Sequence, residues 1–330
     1  MKALVTGATG FIGSHMAEFL CDNGWDVRVL VRETSNLDFV DTLGVEKVFG
    51  DVRDAGALIK ATEGVDVVFH TAAIVGEWGN PADFYDINIG GMKNLIDAMD
   101  KTGAARLVDV SSTSVHGYEG FDNDTEDLPY RKTGVLYSDT KMEAEKLVWE
   151  AHAQGRIKAT TIRPCMVWGP RDRAYFTKML NLIRANRFIY IDGGRHIAGL
   201  SHVRNVCDAM LISAGNDHAE GKAFIITDDC KTTMKEIIET LCDQLKLKHP
   251  RMSISSSTAK FLAGASESFF RAINSNKTPM VTKMGMGCIA NDLSFDITRA
   301  KSILGYKPKY VFPQGMQQYV EWYKSAYPLK

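Results

Sequence analysis

The first half of the chain alternates short apolar, β-branched runs with longer stretches whose apolar positions recur at helical spacing. Strands are predicted at KALVT (2–6), DVRVLV (26–31), VEKVF (45–49), VDVVFH (65–70), RLVDVSS (106–112) and RIKATTIRP (156–164). Helices are predicted at about 11–23, in the stretch DAGALIKAT (54–62), at about 84–102 and at about 137–154. Strands that are separated by helices favour parallel pairing with right-handed crossovers. The pattern therefore predicts an α/β fold with a doubly wound parallel sheet.

This regular alternation of strands and helices ends after Pro164. Beyond it, short strands and isolated helices alternate irregularly with Gly and Pro breaks. A helix at about 203–214 and a strand at KAFIIT (222–227) still fit the sheet. The rest is expected to form a smaller substrate-binding lobe over the carboxyl ends of the strands, where ligands bind in such sheets. The predicted division is residues 1–164 with 197–228 for the sheet domain, and residues 165–196 with 229–330 for the lobe.

The first strand leads into Gly7-Ala8-Thr9-Gly10-Phe11-Ile12-Gly13, which opens the first helix. Gly7 permits a tight turn, Gly10 lets the backbone approach a pyrophosphate, and Gly13 allows close contact between helix and strand. The helix N-terminus adds unpaired N–H groups and the positive end of the helix dipole. Because the turn follows a strand and opens an amphipathic helix, it indicates a dinucleotide site and not only a tight turn. The residues expected to contact the dinucleotide here are Gly7, Thr9, Gly10, Phe11, Ile12 and Gly13.

The end of the second strand decides which dinucleotide is expected. An NAD site normally carries an acid there, which holds the adenine ribose, but this chain has Val31 followed by Arg32. A guanidinium can pair with the 2′-phosphate of NADP(H), so NADP(H) is favoured over NAD(H) unless Arg32 is merely a solvated loop charge. Further contacts are expected where the third and fourth strands end, at Asp51, Val52, Thr71, Ala72 and Ala73.

Composition and charge narrow the class of protein. The 330 residues carry 39 Lys and Arg against 40 Asp and Glu, so nothing favours nucleic acid as a partner. The six cysteines are scattered without a CxxC pair or companion histidines, which is typical of reduced thiols and gives no metal site. Met1 runs directly into the first strand, and no apolar run approaches the roughly 20 residues of a membrane span. We expect a cytoplasmic protein without a transmembrane segment, although contact with a membrane surface stays open.

Eight short motifs in the right order make the chain similar to the extended short-chain dehydrogenase/reductase family. They are GATGFIG (7–13), GDVRD (50–54), HTAA (70–73), INIGGMKNLIDA (87–98), VSSTSVHG (110–117), YSDTK (137–141), RPCMVWGP (163–170) and SHVRNVCDA (201–209). The resemblance implies a Rossmann fold and a Ser–Tyr–Lys catalytic group, which a structural Asn88 accompanies. Asn205 and the stretch LVRETSN (30–36) lean toward the branch of 3β-hydroxysteroid and sterol dehydrogenases and dihydroflavonol-reductase-like proteins. His116, where many relatives have Tyr, and Arg171, where Gly is frequent, depart from the family pattern.

Tyr137 and Lys141 stand four residues apart at the start of a predicted helix, so they share one face. A phenol has an ordinary pKa of about 10 and is a poor base at neutral pH, whereas a nearby ammonium favours the phenolate. We therefore expect Tyr137 to exchange a proton with the substrate, while Lys141 lowers its pKa and holds the nicotinamide ribose. Ser112 is expected to bind the same substrate oxygen, with Thr113 as the alternative. Pro164 is expected on the nicotinamide side of the cofactor.

Three functions compete for this site. The leading one is NAD(P)-dependent interconversion of a secondary alcohol and a ketone on a bulky apolar substrate, sterol-like or polycyclic. The second is a nucleotide-sugar epimerase or dehydratase with bound NAD, a class that generally carries the acid that this chain lacks. The third, a redox-sensing binding protein, is disfavoured because the whole catalytic group is present. Candidate walls of an apolar substrate pocket are Phe176, Phe188, Tyr190, Phe261, Phe269 and Met286, with Thr113 and Trp78 as candidate substrate contacts.

Three other features have more than one interpretation. The stretch FLAGASESFF (261–270) is predicted to be an apolar-faced helix, which could be a pocket lid, a core helix or a surface that meets a membrane. His70 ends a predicted strand and is interpreted as a buried, hydrogen-bonded residue and not as a base. The two long helices at about 84–102 and 137–154 resemble those through which family members form dimers, so a homodimer is expected.

Overall fold

The central sheet confirms the predicted fold class. The structure is a computed structural model that describes residues 1–76, 78–273, 279 and 282–327. Its strands are β1 (Lys2–Thr6), β2 (Asp26–Val31), β3 (Glu46–Phe49), β4 (Val67–His70), β5 (Arg106–Val110), β6 (Phe121–Asp124), β7 (Lys158–Pro164), β8 (Met166–Trp168), β9 (Tyr190–Ile191), β10 (Leu200–His202), β11 (Lys222–Ile226), β12 (Ser253–Ile254) and β13 (Leu293–Phe295). Seven of them form a parallel sheet in the order β11-β7-β5-β4-β1-β2-β3.

Helices cover both faces of this sheet. They are α1 (Phe11–Asp22), α2 (Ala55–Thr62), α3 (Pro81–Phe84), α4 (Gly91–Thr102), α5 (Leu136–Ala153), α6 (Tyr175–Arg184), α7 (Val203–Ala214), α8 (Met234–Leu245), α9 (Ser256–Ala272), α10 (Lys283–Ile289) and α11 (Gln314–Ala326). Side chains alternate across each strand, so Val108 packs in one core with Met16 of α1 and Val206 of α7. Its neighbour Leu107 faces the other way, in the core that α2, α4 and α5 build. Both faces of the sheet are therefore buried, as parallel sheets require.

The long helix predicted at about 84–102 is interrupted by a wider turn. Residues Tyr85–Gly90 form a π-helical segment between α3 and α4. Within it the buried Asn88 accepts a hydrogen bond from the Ile74 amide at 2.8 Å and donates to Thr140 Oγ1 at 2.9 Å. Single π turns occur inside helices mostly at functional sites, because they re-aim one side chain. Here the turn connects the loop after β4 to α5.

Beside the large sheet, the described residues form three two-stranded pairs, β8 with β10, β9 with β12, and β6 with β13. A separate core that includes Trp168, Phe176 and Tyr319 holds α6, α8 and α11 together. The region around Phe295 and Tyr306 packs instead in the core of the large sheet. The division of the chain into two domains stays a prediction.

Helix α9 contains the apolar stretch predicted at 261–270. Its inner side is formed by Ala259, Ala263 and Glu267, whereas Phe261 and Phe269 are 74% and 60% exposed. The apolar side therefore points outward, and the interpretation as a core helix is wrong. Across the residues that the structure describes, no helix combines the length and the apolarity that crossing a membrane requires.

Candidate active site

The glycine turn between β1 and α1 is built so tightly that side chains would not fit. Gly7 has φ +74°, and a Cβ there would lie 2.7 Å from the Ala72 amide nitrogen. A Cβ on Gly13 would lie 2.2 Å from the Gly7 carbonyl oxygen and 2.5 Å from Thr71 Oγ1. Gly10 closes the turn with a hydrogen bond from its amide to the Gly7 carbonyl at 2.8 Å. The start of α1 therefore sits directly against the ends of β1 and β4.

This turn fits a dinucleotide pyrophosphate. Thr9 and Gly10 are exposed, and Phe11 and Ile12 begin the helix half-buried. Gly10 supplies no side-chain cap to α1, and the first turn contains no acidic residue. The N–H groups in the first turn of α1 and the positive end of the helix dipole are thus available to an anion.

The other predicted cofactor contacts line the same carboxyl edge of the sheet. Thr71 Oγ1 donates to the Thr6 carbonyl at 2.7 Å, and the Ala72 backbone lies beside Gly7, with Ala73 next in the chain. Val52 is buried against α4, where a Cβ on Gly91 would lie 2.7 Å from its Cγ2. Pro164 ends β7, two strands away from β4 in the sheet.

Arg32 lies exposed immediately after β2, close enough to Asp51 for its charge to lower the pKa of that carboxyl. The larger cause of this lowered pKa is Arg53, whose Nε donates to Asp51 Oδ1 at 2.9 Å. Asp51 is therefore already paired with a different guanidinium. The Arg32 guanidinium remains exposed at the end of β2, the position from which NAD sites normally hold the adenine ribose with an acid.

Tyr137, Ser112 and Lys141 come together at the carboxyl edge of β5. Tyr137 lies in the first turn of α5, and its hydroxyl shares a hydrogen bond with the Ser112 side chain. Ser112 is held by the Ser114 amide, which donates to its Oγ at 3.1 Å. The alternative Thr113 shares its side-chain hydrogen bond with the Cys165 thiol instead. Of the two candidates, Ser112 is the one that faces Tyr137.

The charge around Tyr137 differs from the sequence-based expectation. Burial raises the pKa of Tyr137 to about 12, the hydrogen bond from Ser112 opposes this shift, and the charge of Asp109 adds to it. Lys141 Nζ lies 3.9 Å from Asp109 Oδ1, so its positive charge is offset by a carboxylate that the sequence analysis had not singled out. The residues around Tyr137 therefore favour the neutral phenol.

A buried charged network anchors α5 to the sheet. Glu145, two turns after Tyr137, accepts hydrogen bonds from Ser111 and Arg163, each at 2.5 Å. Burial alone would raise the pKa of Glu145, but Arg163 holds it below its ordinary value. Arg163 also donates to the Glu126 carbonyl at 3.0 Å and contacts His116 Nε2 at 3.1 Å. The departure noted at His116 thus serves this network and not the reacting atoms.

A cleft of about 500 Å³ lies near the start of α5, where Val135 lines it, although Ser112, Tyr137 and Lys141 are not among its lining residues. Tyr118 lines it and shares a hydrogen bond of 2.6 Å with Ser138, the neighbour of Tyr137. Its apolar lining includes Val135, Ala263, Met286 and Gly287. Its charged lining consists of Arg131, Lys132, Lys260 and Lys283 against the single carboxylate of Glu119. The cleft therefore combines apolar contacts with a predominantly cationic rim.

Only part of the predicted substrate pocket lines this cleft. Met286 does so, but Phe176 is fully buried and Tyr190 is nearly so, while Phe261 and Phe269 point to solvent. The prediction that these four residues line the substrate pocket is therefore wrong for this cleft. The irregular sequence of the second half gave no indication of which face each aromatic residue presents. The guanidinium of Arg271, which belongs to α9, lies over the Trp78 ring, with the Arg271 Cζ 5.6 Å from the ring centroid.

The glycine turn and the Ser–Tyr–Lys group on one carboxyl edge define an extended short-chain dehydrogenase/reductase. The chain belongs to the NAD dependent epimerase/dehydratase family, whose family model matches residues 3–226. It is therefore an oxidoreductase of this family that uses a nicotinamide dinucleotide.

Known relatives match nearly the whole chain. The 4-hydroxy-2-methyl-3-oxo-4-farnesyl-3,4-dihydroquinoline-1-oxide ketoreductase of Stigmatella aurantiaca is 28% identical over 96% of this chain and 95% of its own length. A 3 beta-hydroxysteroid dehydrogenase/Delta 5-->4-isomerase of Mycobacterium tuberculosis is 29% identical over 99% of this chain and 91% of its own length. The crystal structure of UDP-glucuronic acid 4-epimerase from Bacillus cereus in complex with NAD matches with a TM-score of 0.78 at 21% identity, over 99% of this chain and 100% of that one. That last likeness shows the shared fold.

Proposed function

We propose that this protein interconverts a secondary alcohol and a ketone on a bulky, largely apolar substrate, with NADP(H) favoured over NAD(H). The observation that carries the proposal is the hydrogen bond between Ser112 and Tyr137, with Lys141 one helical turn further along α5. The similarity to a ketoreductase and to a 3 beta-hydroxysteroid dehydrogenase supports the same reaction type.

Tyr137 is the residue that moves the proton. When bound, the nicotinamide supplies or accepts the hydride. In reduction, the carbonyl carbon receives the hydride, the carbonyl oxygen takes the Tyr137 proton, and solvent returns a proton to the phenolate. In oxidation, the same hydride and proton move in the opposite direction. Ser112 orients the substrate oxygen and Lys141 holds the nicotinamide ribose, so the reacting atoms are positioned before the chemical step.

The first test concerns the substrate class. Steroidal or polycyclic alcohols should be oxidised with stoichiometric formation of NAD(P)H. Their binding should be favoured because each Å² of apolar surface buried against the apolar cleft residues contributes roughly 25 cal/mol. Met286→Ser should raise KM for such a substrate by roughly 10- to 150-fold, since burying a Met side chain contributes about 1.5–3 kcal/mol. Met252→Ser is the matched control, because Met252 is 64% exposed and does not line this cleft. Equal KM values for the two variants would argue against an apolar substrate in this cleft.

A nucleotide-sugar epimerase or dehydratase is the second candidate, and the cationic rim of the cleft is the observation that favours it. Lys132, Lys260 and Lys283 would suit a diphosphate. Isomerisation or dehydration of a sugar nucleotide without net change in NAD(P)H would establish this alternative. Calorimetry with UDP-glucose and with a steroid alcohol then ranks the two classes directly. Micromolar binding of the sugar nucleotide, with no response to any steroid, would reverse our order.

The cofactor preference rests on Arg32. Arg32→Asp should weaken NADP(H) binding by roughly 10- to 150-fold, since a hydrogen bond to a charged group contributes about 1.5–3 kcal/mol, and it should spare NAD(H). Arg251→Asp makes the same change of charge at an exposed position in the second half of the chain and should leave both affinities unchanged. Calorimetric titration of each variant with both cofactors gives the comparison. A wild-type protein that binds NAD(H) more tightly than NADP(H) would contradict the 2′-phosphate assignment.

A further inference from the structure

A row of polar side chains crosses the middle of the sheet beneath the catalytic helix. Strand pairing places Thr6 beside His70, His70 beside Asp109, and Asp109 beside Thr161. These four positions lie on neighbouring strands β1, β4, β5 and β7, and all four residues are buried. One layer below, the same face of the sheet is apolar, with residues such as Leu107. The row therefore has a cost in stability, which points to a role other than packing.

Asp109 is the acidic member of this row, and like Thr161 Oγ1 beside it, its side-chain oxygens have no hydrogen-bond partner among the residues described. The Asp109 side chain is 0% exposed. The neighbouring His70 has a hydrogen-bond partner, since its Nδ1 lies 2.8 Å from Thr6 Oγ1. What faces Asp109 at 3.9 Å is the Lys141 ammonium, too far for a hydrogen bond but close enough for strong charge attraction.

The other groups around Asp109 keep one charge state near neutral pH. Burial, with a smaller contribution from Lys141, lowers the pKa of His70 to about 3, so this imidazole is neutral. Glu145 is ion-paired with Arg163, which holds the pKa of Glu145 below its ordinary value, and burial raises the pKa of Tyr137 to about 12. Burial raises the pKa of Asp109 itself to about 6, with Lys141 opposing and Glu145 adding to the shift. Asp109 is thus the group in this surrounding that titrates between pH 5 and 7.

We propose that Asp109 is a positioning residue for Lys141, and that its negative charge biases the bound complex toward reduction of a carbonyl. The carboxylate draws the Lys141 ammonium toward the sheet and offsets the charge that would otherwise favour a Tyr137 phenolate. Tyr137 is therefore held as the proton donor that reduction needs. The same negative charge stabilises the oxidised nicotinamide, which is positive, more than the neutral reduced form. Both effects favour the alcohol and the oxidised cofactor on the enzyme.

The inference rests on the proposed function, because it assumes a nicotinamide beside Tyr137, but its test needs no substrate. Dissociation constants of the oxidised and reduced dinucleotides are measured from pH 5 to pH 8 on the full chain, with both NAD(H) and NADP(H). The ratio of the reduced to the oxidised dissociation constant should rise as Asp109 ionises with increasing pH. The expected rise is on the order of tenfold through a midpoint near pH 6. In Asp109→Asn the ratio should stay at the low-pH value throughout.

Asp228→Asn is the matched control. Asp228 is equally buried, and burial raises its pKa to about 6 as well, but its carboxylate is hydrogen-bonded to Trp168 and Asn205. This variant should keep the wild-type pH profile. Should Asp109→Asn not fold, Asp109→Thr takes its place, because it copies the neighbouring Thr161.

Three outcomes distinguish failure of this inference from failure of the proposed function. A wild-type ratio that does not change with pH overturns the inference while the proposed function stands. A pH step that persists in the Asp109 variant also overturns it, because another group then titrates. A protein that binds neither dinucleotide at any pH removes the proposed function and the inference together.

Discussion

Turnover of Tyr137→Phe should fall by about 10²–10⁴-fold, the usual contribution of general acid–base assistance. The substitution removes only the hydroxyl that shares a hydrogen bond with Ser112. The ring keeps its place in the first turn of α5, so folding and dinucleotide affinity should hold. Steady-state kinetics on any accepted substrate, with fluorescence titration of NADPH, measures both quantities. Tyr85→Phe, at a Tyr that is 49% exposed, is the matched control and should keep wild-type turnover.

Substitutions of Lys141 and Ser112 should affect turnover and cofactor affinity in different ways. Lys141→Ala should reduce turnover comparably and also weaken the cofactor, because it loosens the ribose as well as altering the charge near the phenol. Ser112→Ala should act mainly on orientation of the substrate oxygen. Combined with Tyr137→Phe, its effect should be less than additive, since both residues serve the same oxygen. Turnover close to wild type in Tyr137→Phe would remove the central residue from the mechanism.

Gly13→Ala should lower dinucleotide affinity by about 100-fold, which corresponds to about 3 kcal/mol. The added methyl would lie 2.2 Å from the Gly7 carbonyl oxygen and 2.5 Å from Thr71 Oγ1, so α1 must move away from the strand ends. Overpacking of this kind also costs about 1–3 kcal/mol of the free energy of unfolding. Calorimetric titration and chemical denaturation of the same variant give the two numbers.

Gly264→Ala tests whether steric contact is the cause. Gly264 lies in α9, and a Cβ there would meet no atom within 4 Å. Alanine should be neutral or slightly stabilising at that position, since it has the higher helix propensity. If Gly13→Ala binds the cofactor as tightly as Gly264→Ala does, α1 can shift without loss of dinucleotide affinity. The tight turn would then not define the site.

The elements that could be predicted from the sequence are those with a local signal. The strand at DVRVLV (26–31) and the helix at about 203–214 match the structure closely, because their apolar periodicity is complete within the segment. The Gly7 turn and the Tyr137–Lys141 spacing are also local, since each lies within a few residues of chain. Their contacts with a cofactor stay a prediction.

The features that the sequence analysis missed depend on pairing between distant segments. Asp109 is an ordinary polar residue in RLVDVSS until strand register places it beside His70 and Thr161. Glu145 could have been suspected, because it continues the four-residue spacing of Tyr137 and Lys141, but its partner Arg163 lies on another element. The aromatic residues of the second half were misplaced for the same reason, since no regular period there reveals which side is inward.

The Glu145–Arg163 pair ties α5, which carries Tyr137 and Lys141, to the interior of the sheet. Glu145 Oε1 and Arg163 Nη2 lie 2.5 Å apart, and their side chains are 0% and 5% exposed. Substituting either residue would leave the other charge buried without its partner. Such a loss typically costs about 3–5 kcal/mol. Heat inactivation and melting of the main sheet should therefore be one event, without an inactive but folded stage between them. An engineer who wants a longer-lived catalyst would accordingly reinforce the sheet and leave the loops around the cleft unchanged.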